Sequence, residues 1–143
     1  MTNLDYRDSL DYRNSLNLFF EMELTDMQKL FDSEIKVMEI IWENEPVSAK
    51  QISILAAERI GWNKNTTYTV IKKLEAKGYI NRGEPGFICT SLVSRDDVCI
   101  AETRSLVDRL FGGSRKALFS ALLEDEQLTD AELDELRELI EKR

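Results

Sequence analysis

Asn63-Lys64-Asn65-Thr66-Thr67-Tyr68-Thr69 sets six short or amphipathic polar side chains beside a cation, and Lys72, Lys73, Lys77 and Arg82 follow. These residue types suit recognition better than catalysis. A carboxamide offers a donor and an acceptor at fixed separation and pairs bidentately with an adenine edge, while threonine or tyrosine can touch a thymine methyl. Ammonium and guanidinium groups bind phosphate oxygens, which positions a protein on a duplex without specifying sequence. On this division Asn63, Asn65, Thr66, Tyr68 and Thr69 are the candidate base-edge contacts, and Lys64, Lys72, Lys73 and Arg82 the candidate phosphate contacts.

Composition narrows the alternatives. The 143 residues contain no histidine, which removes serine-histidine-acid and cysteine-histidine catalysis and every zinc site built on imidazole. Acidic residues number 27, so no single carboxylate pair is informative, and acidic pairs read as solvated helix faces. No glycine loop suited to cradling phosphate is present, and the chain reads as a non-enzyme with no cofactor and no metal. Cys89 and Cys99 are too few for a four-thiolate site; both read as buried thiols, Cys89 on a strand and Cys99 on a helix. Two cysteines, no signal-like leader and no apolar run near the ~20 residues of a membrane helix predict a soluble cytoplasmic protein.

A formal charge of -8 is unfavourable for a nucleic-acid partner until it is divided by region. Between Arg59 and Arg82 six basic side chains face Glu75 alone, a local balance of +5. From Leu122 to Arg143 nine acids face three bases, a balance of -6. Charges more than about 10 Å away are largely screened at physiological salt, so a duplex responds to the local patch.

The elements that would carry this patch follow from periodicity. Phe31, Ile35, Met38 and Trp42, spaced 4, 3, 4, with Val37 and Ile41 widening the stripe, predict a well-buried helix over about 32–44 capped by Asp32 or Ser33 and ended by Pro46. Ser48 with Gln51, Ser94 with Asp97, and Thr129 with Glu132 each pair a cap hydroxyl with an acceptor three residues on, flanked by apolar staples such as Val47 with Ile52. The Ser48 helix carries Ile52, Leu55, Ala56 and Ile60 inward and stops near Gly61. A second helix from Asn63 to Lys77 buries Thr67, Ile71 and Leu74, and Gly78 ends it. Two strands, 79–82 and 87–92, flank Glu84-Pro85-Gly86-Phe87, which fits a type II turn. Helix, turn, polar helix and hairpin predict a winged helix-turn-helix.

The chain therefore reads as mainly α with a small β-hairpin: an N-terminal arm over 1–29, in which Leu4–Ser9 is nearly repeated by Leu10–Ser15 and which is expected to be flexible, a DNA-binding domain over 30–93, and three helices over 94–143. Those last helices carry apolar stripes, Ile100, Val107, Leu110 and Phe111, then Leu118 and Leu122, then Leu133, Leu136 and Ile140, with no sheet to cover them. Leaving them wet forfeits roughly 1.5–3 kcal/mol per large side chain. A second copy is the simplest cover, and a homodimer reading double-stranded DNA with inverted half-sites ~34 Å apart follows.

Residues from about Leu30 to Arg143 resemble the BlaI/MecI penicillinase-repressor family of winged-helix regulators. The matching segments are Glu34-Ile35-Lys36-Val37-Met38-Glu39-Ile40-Ile41-Trp42, Val47-Ser48-Ala49-Lys50-Gln51-Ile52, Thr66 through Gly78, and Leu110-Phe111-Gly112-Gly113. The resemblance implies a homodimeric repressor on a palindromic operator, released when a membrane-bound sensor metalloprotease, triggered by a β-lactam, leads to a cut in the dimerisation region. The chain departs from the family in three places. The family's best-known scissile bond joins asparagine to phenylalanine, and the matching positions here are Ala121-Leu122. Copper-responsive relatives end in paired cysteine motifs, and none follows Cys99. Thr67 stands where the family usually has an aliphatic residue. The alternative reading is an effector-, metal- or redox-responsive winged-helix regulator not controlled by proteolysis.

Overall fold

The computed structural model describes residues 29–143; the expected arm, Lys29 excepted, lies outside them. The chain divides into two units, the first ending at Cys99 and the second beginning at Ile100. The first unit contains α1 (Asp32–Asn44), β1 (Val47–Ser48), α2 (Ala49–Arg59), α3 (Lys64–Ala76), β2 (Ile80–Gly83) and β3 (Ile88–Ser91). Helix α4 (Arg95–Leu110) runs across the division, and α5 (Arg115–Leu123) and α6 (Asp130–Glu141) follow it.

One core organises the first unit. Val37, Met38, Ile40 and Ile41 of α1 meet Ile52 and Ala56 of α2, Val70, Ile71 and Leu74 of α3, and Ile80 and Cys89 of the sheet, all buried. At roughly 1.5–3 kcal/mol per large apolar side chain, this set is what holds the three helices at fixed angles. Of the stripe read for α1, Met38, Val37 and Ile41 are buried and Phe31 is not. Phe31 is 63% exposed, Ile35 and Trp42 are only half-buried, and the covered face runs through Glu34, Val37, Met38 and Ile41. Leu30 enters the core in place of Phe31. The cap also differs from Asp32 or Ser33. Phe31 takes that position, and its backbone N–H donates to the Glu34 carboxylate at 2.8 Å. A phenyl ring cannot accept in return, so the helix start rests on the reach-back of Glu34 alone.

One correction concerns the sheet. It has three strands, in the order β1-β3-β2, where the sequence predicted a two-stranded hairpin. Val47 and Ser48 pair antiparallel with Cys89 and Ile88, and the Ala49 N–H donates to Phe87 O at 3.0 Å. A two-residue strand leaves no alternation to read, and Val47 and Ser48 were fully accounted for as staple and cap. Pairing of β2 with β3 sets Asn81 opposite Thr90 and Arg82 opposite Cys89. Of the expected type II turn, Gly86 at i+2 is left-handed (φ 89°), as that turn requires, and Phe87 (φ 53°) after it is left-handed as well.

The caps read from hydroxyls are present. Ser48 accepts from the Gln51 N–H at 3.0 Å, Ser94 from Asp97 at 3.1 Å, and Thr129 from Glu132 at 3.1 Å. A fourth, Ser114 accepting from Ala117 at 3.1 Å, starts α5 and has no acceptor-bearing residue three positions on to announce it. Gly112 and Gly113 follow α4 with positive φ, and the Gly113 N–H closes back on Val107 O at 3.0 Å. In the second unit Leu110, Phe119, Leu122, Leu123, Leu139 and Ile140 are exposed, as is Ile100 where that unit begins. Phe111, Leu118, Leu133 and Leu136 are half-buried. Val107 is buried within the single chain and offers no surface to a partner.

Candidate nucleic-acid interface

Helix α3 begins where Gly61 (φ 78°) breaks α2 and Asn63 caps the new helix, its side-chain oxygen accepting from the Thr66 N–H at 2.8 Å. Thr67, Val70, Ile71 and Leu74 face the core, which fixes the opposite face toward solvent. Lys64, Asn65, Thr66, Thr69, Lys72 and Lys73 all lie on that exposed side. Thr67 is fully buried, and its hydroxyl donates to Asn63 O at 3.3 Å, so the hydroxyl is satisfied within its own helix.

The polar row is less free than its sequence implies. Asn63 spends its acceptor on the cap, leaving the amide N–H2 to face outward. The Thr69 hydroxyl donates to Asn65 O at 2.8 Å, which leaves the lone pairs of its oxygen and its methyl available. Tyr68 was expected to point away from the core; it is half-buried against it, with the Lys64 ammonium 5.5 Å from the ring centroid. That contact, one turn apart on the helix, orders Lys64 near the start of α3. Asn63→Ala is expected to lower unfolding free energy by about 1 kcal/mol through the lost cap. A urea midpoint equal to that of the parent protein would refute the capping role.

The cations divide into two groups. Lys77 is turned inward: its ammonium donates to the Glu34 carboxylate at 2.7 Å and to Lys29 O at 3.0 Å, and lies 4.4 Å from the Phe31 ring centroid. Arg59 pairs with Glu43 at 2.7 Å. Arg82 pairs with Glu75 at 3.2 Å and lies over Phe87 at 4.4 Å from the ring centroid. Among the described residues Lys64, Lys72 and Lys73 form no ion pair. Free positive charge is thus concentrated in three lysines spread around the solvent side of α3, with Lys64 and Lys73 about half a turn apart, and with Arg82 available on exchange of Glu75 for a stronger anion.

Two residues matter that the sequence reading passed over. Glu34 was treated as one more acid on a solvated helix. Its position three residues after Phe31 and three before Val37, inside the buried stripe, was the available signal. Glu75 restrains Arg82 and also lies near Cys89. Burial first, and Glu75 second, push the Cys89 thiol above its ordinary value, against an opposing pull from Arg82. Its Sγ donates to Phe87 O at 3.6 Å, and it is a protonated core residue, not a reactive thiolate. Cys99 was also expected to be buried and is exposed; the two thiols are not bonded. Among the described residues no cluster of acid or thiol side chains has the arrangement of a metal site, and no helix is long and apolar enough to cross a membrane.

A helix-turn-helix (α2 and α3) followed by a β2–β3 hairpin, braced by a third strand, defines the winged-helix class. The family model for the penicillinase repressor matches residues 30–142, and the chain belongs to that family. It is 24% identical over 116 residues to the penicillinase repressor of Bacillus licheniformis, covering 80% of this chain and 91% of that one. Against the methicillin resistance regulatory protein MecI of Staphylococcus aureus strain N315 it is 28% identical over 117 residues, covering 80% and 95%. The solution structure of monomeric Bacillus licheniformis BlaI with the blaP half-operator matches 50% of this chain and 90% of that one, at 23% identity and a TM-score of 0.45.

Proposed function

We propose that this protein is a transcriptional repressor that binds a palindromic operator in double-stranded DNA as a homodimer. The observation that carries the reading is the solvent face of α3. It presents three lysines free of ion pairs beside a row of amide and hydroxyl groups, in a chain of the penicillinase repressor family. Lys64, Lys72, Lys73 and Arg82 neutralise phosphates, and Asn63, Asn65, Thr66, Tyr68 and Thr69 meet base edges. The reading places the protein in the cytoplasm. It is tested by titrating the purified chain onto a duplex carrying the promoter upstream of its own gene. A complex of two chains per duplex, weakening steeply with salt, is expected; salt-independent or undetectable binding rules the reading out.

The dimer is assigned to the second unit. Leu110, Leu122, Leu139 and Ile140 are large, apolar and exposed on these helices, and covering them favours association by roughly 1.5–3 kcal/mol for each side chain fully buried. Ile140 is 67% exposed, so Ile140→Asp is expected to leave the fold of one chain intact while the mass in solution falls from dimer to monomer. A variant that sediments as a dimer would disprove this assignment.

Release is proposed to follow a proteolytic cut at Ala121-Leu122, driven by a membrane-bound sensor metalloprotease. Both residues are exposed, but they lie inside α5. A helical bond must unwind before it enters a protease cleft, so the cut depends on local opening of that nine-residue helix.

A further inference from the structure

We infer that the acidic segment of residues 1–28 docks on the lysine face of α3 and competes there with duplex DNA. The inference rests on the reading of that face as the DNA-binding surface and adds an intramolecular ligand for it. The segment lies ahead of the residues the family model matches, and nothing so far proposed for the protein makes use of it.

Charge complementarity is the first argument. Residues 1–28 hold six acids (Asp5, Asp8, Asp11, Glu21, Glu23 and Asp26) against Arg7 and Arg13, a balance of -4. The face opposite holds Lys64, Lys72 and Lys73, none of them ion-paired among the described residues. The place from which the segment departs is the second argument. Lys29 O accepts from the Lys77 ammonium at 3.0 Å, and Leu30 beside it is buried, which pins the start of the described chain to the last turn of α3. Lys73 lies one turn back from Lys77 on the same side of the helix, about 6 Å along the axis, and Lys64 about 20 Å. Asp26 is three residues from this anchor and Glu21 eight, a reach of at most about 28 Å. Asp26, with a reach of about 10 Å, is therefore within range of Lys73, and Glu21 and Glu23 of Lys72 as well, at the millimolar effective concentration that short tethers give.

Nothing covalent is involved; the carboxylates replace phosphates as counter-charges, and a duplex displaces them. The test compares the full chain with its Glu21→Gln, Glu23→Gln, Asp26→Asn triple variant, using a mixed-sequence 30-base-pair duplex as probe. Neutralisation is expected to tighten binding about fivefold at ~50 mM salt, and the gain should shrink toward twofold or less at ~300 mM as the charges are screened. Lys72→Ala with Lys73→Ala should erase the gain. Carbodiimide cross-linking of the full chain without DNA should join Glu21, Glu23 or Asp26 to these lysines within one molecule, and added duplex should suppress the product. Equal or weaker binding by the triple variant, or cross-links found only between differently isotope-labelled chains, would overturn the inference. Loss of all salt-sensitive duplex binding in both chains would instead strike the DNA reading, and the cross-links would still decide the docking.

Discussion

Lys77→Ala should destabilise the protein by about 3 kcal/mol, the largest loss expected from any single surface-reaching residue. Glu34 is 1% exposed, and one of its oxygens receives both the Phe31 N–H at 2.8 Å and the Lys77 ammonium at 2.7 Å. The second oxygen has no hydrogen-bond partner. Removing the ammonium leaves a carboxylate in the core with one neutral donor, and breaking a buried pair from one side typically costs 3–5 kcal/mol. The lower end applies here because the Lys77 side chain retains 12% of its exposure. Replacing both partners, Glu34→Met with Lys77→Met, should cost less than Lys77→Ala alone, since the desolvation cost of the two charges disappears with their attraction and only the cap on the Phe31 N–H is lost. Urea unfolding of the two singles and the double closes the cycle. A Lys77→Ala midpoint matching the parent would show that the pair contributes nothing.

Lys72→Ala combined with Lys73→Ala carries the largest functional effect. Each lysine is exposed and outside any ion pair, so its loss should change stability by no more than about 0.5 kcal/mol. On the proposed interface each contacts one phosphate. Removing both is expected to weaken operator binding about 10- to 100-fold at ~100 mM salt and to flatten the salt slope by about 1.8, at ~0.9 per phosphate released. Lys77 provides the contrast, because its ammonium already serves Glu34 and should add nothing to that slope. An unchanged slope in the double variant would place the DNA elsewhere on the molecule.

The residues that made the fold legible were those whose role is local. Ser48, Ser94 and Thr129 announced helix starts because a cap needs only a hydroxyl and the next three residues, and Gly61 and Gly78 announced ends for the same reason. What escaped depended on distant partners. Strand β1 exists because β3 offers an edge 40 residues later. Phe31 was assigned to the core since its spacing matched, yet the burial of Glu34 beside Lys77 rotates the covered face of α1 away from it. The candidate site was read by residue type, and type identified the polar row and the lysines. It did not show which cations were already spoken for: Lys77, Arg59 and Arg82 differ from Lys72 and Lys73 only in having an acid from another element within reach.

The short strand at 47–48 fastens the turn end of the hairpin to the first helix of the helix-turn-helix pair, through Val47 opposite Cys89 and the Ala49 N–H on Phe87 O. The hairpin is thus held beside its loop, and Phe87, a loop residue, is one of the attachments. Descendants of this sequence can recharge positions 84–86, retuning how the loop meets a groove, but a change of length that displaces Phe87 would loosen the hairpin from the helix beside it.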